Sequence, residues 1–149
     1  MMNLHFTINT TPIGQARPKH STIRCKNGRT ISTTYKSATQ RANENTLEAL
    51  LAPYVPETPI VGPVALHFVA YLPMPASTSQ KRKEAMWRGE ILPTKKPDID
   101  NVAKFLCDAM TRLQFWKDDK QVCKIFCSKE FDTHGHWDVT IEELAAEGC

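Results

Sequence analysis

Two aspartates flank a single isoleucine at Asp98-Ile99-Asp100, a lysine follows at Lys104, and a second acidic pair stands at Asp118-Asp119. The surrounding run, residues 95–122, opens with Lys95-Lys96-Pro97 and closes with Lys120-Gln121-Val122, so carboxylates and ammonium groups are interspersed along it. Carboxylate oxygens at this density suit a hard divalent cation. Mg²⁺ keeps several waters and is usually held by one or two carboxylates together with substrate phosphate oxygens. The lysines suit the phosphate. Residues of these types point to metal-assisted cleavage of a phosphodiester.

The elements that must hold these groups follow from local rules. Pro97 disfavours helix at Lys96, which puts Asp98 where an N-cap belongs. Ile99, Val102, Ala103, Leu106, Ala109, Met110 and Leu113 keep helical spacing, so a helix is expected over residues 99–113. Asp100, Lys104 and Asp108 then lie on one face, four residues apart. The plain alternatives are an exposed ladder of ion pairs for these three and a simple cap for Asp98. Residues 114–117 form a turn, Asp118-Asp119 leads into a strand over 121–131, and a last strand covers 137–141. The tail 142–149 is acidic and is expected to fray. The geometry poses a question. A helix from 100 to 113 carries the chain roughly 20 Å from Asp100, and residues 114–119 span about 20 Å at full extension. Asp119 rejoins Asp100 only if that segment doubles back nearly straight, if the helix is shorter, or if a second subunit supplies Asp119.

Leu4, Phe6 and Ile8 alternate with polar residues, which marks a half-buried first strand. Residues 11–34 are polar, basic and rich in turn formers, with a short strand over 31–35 after the Asn27-Gly28 turn signal. A helix is expected over 35–51, with Ala38, Ala42, Leu47, Leu50 and Leu51 as its apolar face and Pro53 as its stop. An extended proline-spaced connector precedes a strand over 64–72 that is apolar on both faces, hence central. Ser77 or Ser79 caps a short helix that runs to Trp87 and ends at Gly89. The expected fold is α+β: one domain over 1–149, with a small mixed β-sheet packed against two to three helices. Strand order is not readable.

The length of 149 residues fits one domain with a real core, and the hydrophobic fraction of 41% and charged fraction of 23% are ordinary for a globular chain. No apolar run is long enough to span a membrane, and the first ten residues lack the pattern of a signal peptide. The five cysteines, odd in number and irregularly spaced, fit reduced thiols in a cytoplasm. Cys123 and Cys127 with His134 and His136 raise zinc, but on a strand two such cysteines stand roughly 13 Å apart, too far for bonds of about 2.3 Å to one ion. No phosphate-binding GxxxxGK[ST] loop, GxSxG elbow or HExxH pair is present, so nucleotide hydrolysis, serine hydrolysis and zinc proteolysis have no support. Net charge is only +3, but it is polarised. No acidic residue precedes Glu44, while the same stretch holds Arg17, Lys19, Arg24, Lys26, Arg29, Lys36 and Arg41. From Glu130 onward there are acids and no Lys or Arg. A basic region beside a carboxylate cluster is the arrangement a DNA-cutting enzyme needs, the cations holding phosphates without reading sequence. The plain alternative is a solvated basic loop.

The stretch resembles the RusA-type Holliday junction resolvases, common in phages and prophages. Their pattern reads K-P-D-hydrophobic-D-N-hydrophobic-x-K, then x-x-x-D-A-hydrophobic, then D-D-x-Q-V and a later lysine. This chain carries Lys96 to Lys104, Asp108-Ala109-Met110, Asp118-Asp119-Lys120-Gln121-Val122 and Lys129, with a weaker match at Leu72-Pro73-Met74-Pro75-Ala76-Ser77. The family's G-K-x-R-P-R-like segment is only partly kept, as Gly14-Gln15-Ala16-Arg17-Pro18-Lys19. The resemblance implies an Mg²⁺-dependent endonuclease, with Mn²⁺ able to substitute and no nucleotide cofactor. Asp98, Asp100 and Asp119 would be the essential metal-binding acids, Asp118 a secondary member, and Lys104 the catalytic lysine. Asp108 is expected to hold Lys104 by an i,i+4 contact. The family also has a basic run near Lys81-Arg82-Lys83; these three, with Lys96, Arg17, Lys19, Arg24, Lys26 and Arg29, are the expected DNA contacts. The resemblance further implies a symmetric homodimer acting on four-way DNA in the cytoplasm of a bacterial cell. Two other readings stay open: a general nuclease of flaps and forks, and a junction-binding protein without catalysis.

Overall fold

The computed structural model describes residues 2–145. Its centre is a four-stranded mixed sheet in the order β1-β6-β4-β5, formed by β1 (Asn3–Ile8), β4 (Val64–Pro73), β5 (Val122–Asp132) and β6 (His136–Glu143). β6 pairs antiparallel with both β1 and β4, and β5 runs parallel to β4. A separate two-stranded hairpin joins β2 (Lys19–Arg24) to β3 (Thr30–Tyr35). The helices are α1 (Ala38–Leu51), α2 (Gln80–Trp87) and α3 (Ile99–Arg112). This is the α+β arrangement expected, with β4 in a central position.

One face of the sheet is apolar because the alternation of its strands makes it so. Phe6, Ile8, Leu66, Phe68, Ala70, Trp137, Val139 and Ile141 are all buried there and form one cluster with Leu47 and Leu51 of α1 and with Val102, Phe105, Leu106, Ala109 and Met110 of α3. Each large side chain removed from water contributes about 1.5–3 kcal/mol, so this cluster outweighs any single polar contact in the fold. An ion pair between Arg112 and Glu48 ties α3 to α1 at the edge of the cluster.

The chain turns back directly after α3. Gln114 takes a left-handed conformation (φ 66°). The Phe115 N–H donates to Met110 O (3.1 Å), and the Ile60 N–H donates to Phe115 O (2.9 Å). Phe115 and Trp116 are fully buried, and the Trp116 indole donates to Thr111 Oγ1 (2.8 Å). The chain therefore folds back on itself, and a short 3₁₀ turn, Asp119–Gln121, delivers it into β5 beside the helix it has just left.

Four local expectations are corrected. The stretch 11–34 is not all loop, because β2 pairs with β3 residue for residue; Lys19–Arg24 alternates no apolar residues, so its strand shows only through its partner. α1 starts at Ala38 with Ser37 as N-cap, since Tyr35 belongs to β3. Its inner face is polar in the first half: Gln40 and Glu44 are buried, while Ala38 and Ala42 are exposed. The expected acidic tail begins too early, because Glu142 and Glu143 are the last residues of β6 and Glu142 lies opposite Asn3. The rest of that tail, residues 146–149, lies outside the described residues.

The turn between β5 and β6 closes against the chain leaving β1. A Cβ added at Gly135 would lie 2.3 Å from Thr11 Oγ1 and 2.8 Å from Thr11 Cα, and a backbone atom cannot rotate away. Gly135→Ala is expected to lower stability by about 1–3 kcal/mol, read as a lower urea midpoint at unchanged m-value.

Candidate active site

Asp98 occupies the N-cap position of α3, yet its carboxylate makes no capping bond. An aspartate here normally spends its oxygen on an N2 or N3 N–H, so this one remains available to a ligand. Asp100 follows in the first turn and is exposed. The segment leading into Asp98 is held from across the sheet. The Lys129 ammonium, on β5, donates to Lys95 O (3.0 Å) and to Pro97 O (2.9 Å). Lys129 was legible only as a motif position; its work on two carbonyls shows only in three dimensions.

A second segment closes over the same helix end. Residues 12–17 form a strap in which the Gln15 N–H donates to Asn101 O (3.1 Å). Gly14 comes so close that an added Cβ would stand 3.0 Å from Asn101 Cβ and 3.4 Å from Pro97 Cβ. Between strap and helix lies a cleft of about 600 Å³ lined by Gly14, Gln15, Arg17, Lys96, Asp98 and Asn101, among others. Arg17 and Lys96, far apart in sequence, thus share one cleft with Asp98. From behind, the buried Gln40 accepts from the Ala16 N–H (3.1 Å) and donates to Gln15 Oε1 (3.4 Å) and Glu44 Oε1 (3.1 Å). Glu44 in turn accepts from the Lys36 ammonium (2.8 Å). Burial alone would raise the Glu44 pKa, but hydrogen bonds from Lys36 and Gln40 and the charge of Arg112 hold it below its usual value. Sequence periodicity passed over this network because it replaces apolar residues on the inner face of α1.

Along α3, Lys104 and Asp108 form the expected i,i+4 pair, Nζ to Oδ2 3.7 Å. The Asp118-Asp119 turn faces this middle part of the helix. Asp119 senses first the hydrogen bond to Asp118, then Asp118, Asp108 and Lys104 as charges. The Cys107 thiol is pushed up to about 12, chiefly by burial and then by the Asp108 and Asp119 carboxylates. Gln121 builds the turn. It completes a capping box with Asp118, accepts from the Lys117 and Asp118 N–H groups (2.9 and 3.0 Å), and donates to Ile60 O and Gly62 O (2.7 and 3.0 Å). The backbone N–H of Lys120, and then Asp119, lower the Asp118 pKa; the bond to Asp118 raises that of Asp119. The last proton of the pair therefore sits on Asp119.

The structure brings Asp98, Arg17 and Lys96 together in the cleft, and Asp119 together with Lys104 and Asp108 one to two turns further along the same face. Among the described residues no three acid, histidine or cysteine side chains gather into a set that could hold a metal ion. The donors nevertheless fit a hard cation in kind: exposed carboxylate oxygens, one of them left unused at a helix N-terminus, beside cations for a phosphate. Such an ion needs only one or two carboxylates when phosphate supplies the rest. Lys19, Arg24, Lys26 and Arg29 lie on or around the β2–β3 hairpin, and Lys81, Arg82 and Lys83 open α2 behind the Ser79 cap. None of these is in a salt bridge among the described residues.

Comparison with known proteins bears on the same residues. A family model described as endodeoxyribonuclease RusA matches residues 9–142. An uncharacterized protein of Bacillus subtilis, YqaN, is 34% identical over 145 residues, 96% of this chain and 98% of the relative. A crossover junction endodeoxyribonuclease of Lactococcus phage r1t is 33% identical over 64 residues, 43% of this chain and 47% of the relative.

Two measurements test the construction of this site. Lys129→Met strips two carbonyls of a charged partner and is expected to cost about 1.5–3 kcal/mol in urea unfolding, with faster amide exchange confined to the start of α3. In a carboxyl-carbon NMR titration, Asp119 is expected to lose its proton above, and Asp118 below, the usual aspartate value. Asp118→Asn removes the raising partner, so the Asp119 midpoint must then fall.

Proposed function

The chain belongs to the RusA endodeoxyribonuclease family, and on that premise we propose that it resolves four-way DNA junctions by Mg²⁺-dependent, paired symmetric nicks, acting as a homodimer in the bacterial cytoplasm. The observation that carries the reading is the Asp98 carboxylate, unspent at the start of α3 in a cleft shared with Arg17 and Lys96. A phosphate entering that cleft meets two cations beside the carboxylates that would otherwise repel it. That no helix among the described residues is long and apolar enough to cross a membrane accords with such a role.

Asp98 and Asp100 would hold the ion with phosphate oxygens; Asp119, which stands with Lys104 and Asp108 further along α3, would complete the set only if its turn closes toward the helix N-terminus when DNA and metal bind, with Asp118 supporting it; Mn²⁺ would substitute. Bound there, a divalent ion supplies Lewis acidity and lowers the pKa of an attacking water. Lys104 would balance charge developing on the phosphate or the leaving oxygen, and Asp108, at 3.7 Å, restrains its ammonium. Arg17 and Lys96 position the phosphate. Lys19, Arg24, Lys26, Arg29, Lys81, Arg82 and Lys83 hold the flanking backbone, with affinity falling steeply as salt rises. In-chain action of Asp119 is supported by the return of residues 114–121 along α3 and by the influence of Lys104 and Asp108 on its carboxyl group.

The test is cleavage of a synthetic four-way junction with Mg²⁺, beside linear duplex and a flap. Wild type is expected to nick the junction symmetrically and leave the duplex intact, and Asp100→Asn to lose activity by on the order of 10²-fold or more. Equal cutting of flaps would favour a general branched-DNA nuclease, and tight binding without cutting in Mg²⁺ or Mn²⁺ a binding protein. An equal mixture of Asp100→Asn and Asp119→Asn proteins, allowed to exchange subunits, is expected to stay inactive; recovered nicking would mean that the subunits share their sites.

A further inference from the structure

The β2–β3 hairpin belongs to no larger sheet, and all of its residues except Ser21 are exposed along both strands. A two-stranded ribbon alone is marginally stable in water, and most of its side chains are polar. Two are not. Ile23 stands directly opposite Ile31 in the antiparallel register, and the two are 58% and 51% exposed. Directly opposed residues have Cβ atoms roughly 4.5–5.5 Å apart and point to the same side, so the pair makes one apolar knob near the tip. Arg24 follows Ile23, and Lys26 and Arg29 stand in the tip, where the Gly28 N–H donates to Cys25 O (3.0 Å). No acidic residue precedes Glu44.

An apolar knob on a ribbon that carries Lys19, Arg24, Lys26 and Arg29 and no acidic residue suits a partner that is at once polyanionic and apolar. Nucleic acid meets both conditions where base faces are uncovered, which paired, stacked duplex does not offer but a branch point does. Apolar side chains inserted at base steps, with cations on the flanking phosphates, are a general means of holding distorted DNA. We propose that the Ile23–Ile31 pair is a wedge that packs against unstacked bases at the branch point of DNA held by the basic hairpin. This rests on the junction-nuclease reading above and adds the element that senses the branch. The strap ties wedge and cleft together: Arg17 lines the Asp98 cleft, and β2 begins two residues later at Lys19. From Arg17 to Ile23 the chain reaches at most about 20 Å, roughly six nucleotide steps at 3.4 Å. The scissile phosphate should therefore lie within that distance of the branch.

The pair could equally serve the hairpin alone, since an opposed aliphatic pair contributes about 0.2–1 kcal/mol to a ribbon. Threonine separates the two roles, because it keeps β-branching and strand propensity while removing apolar surface. The experiment compares wild type, Ile23→Val/Ile31→Val and Ile23→Thr/Ile31→Thr. The probes are a four-way junction carrying 2-aminopurine beside the branch and a linear duplex of the same sequence, with Ca²⁺ in place of Mg²⁺. Wild type and the valine variant are expected to raise the fluorescence and to prefer the junction. The threonine variant is expected to keep its duplex affinity but lose about tenfold or more of the junction preference, together with the fluorescence rise. A threonine variant with unchanged preference and fluorescence would overturn the wedge. So would a threonine variant that sediments as a smaller species than wild type, because the pair would then be a contact between copies of the chain. If wild type itself neither prefers nor cuts junctions, the nuclease reading fails; if wild type cuts and the threonine variant behaves identically, only the wedge fails.

Discussion

Val102, Phe105, Leu106, Ala109 and Met110 must all leave water together, and the apolar face of the sheet takes them, with Leu47 and Leu51 of α1 beside them. A helix is rigid over this length, so burying one stripe fixes the direction of every other residue on it. Asp100, Lys104 and Asp108 are thereby turned outward in a row without any contact chosen for their sake, and Asp98 is set at the helix mouth. The same burial draws Phe115 and Trp116 into the core directly after the helix. That forces the chain to double back and brings the second acidic pair alongside the first element rather than far from it. The polar site is thus a consequence of apolar packing.

Packing sets direction; a few side chains bonded to backbone groups set position. Lys129 holds the carbonyls before Asp98, Gln121 shapes the Asp118-Asp119 turn and ties it to Ile60 and Gly62, and Gln40 holds the strap that carries Arg17. Each satisfies groups that would be costly to leave without partners, and each joins segments remote in sequence. In all three cases the constrained segment, not the constraining side chain, bears the charged groups of the site.

Charge is distributed to match. Most of the cations before Glu44 stand on the strap and hairpin, and Arg17 of the strap shares a cleft with Asp98. The acids of β6 mostly face the other way: Asp138 bonds His5, and Glu142 lies near His67, both on the sheet face that the helices leave open.

The amino-acid sequence by itself determined the elements whose signal is local. The amphipathic spacing of α3, the alternation of β1, β4 and β6, the Ser79 and Asp98 cap positions and the Asn27-Gly28 turn all arise from interactions within a few residues, so they can be read along the chain. The joint order of Asp98, Asp100, Lys104, Asp118 and Asp119 was enough to indicate the family. Tertiary structure alone decided the rest. β2 has no apolar alternation and exists only because β3 pairs with it. Gln40 and Glu44 could take buried positions on α1 only because the strap and Lys36 supply their partners. Lys129 could acquire its task only once β5 lay beside the entry to α3. These features depend on pairings between segments tens of residues apart, and no local pattern of hydrophobicity or propensity records which segments will meet.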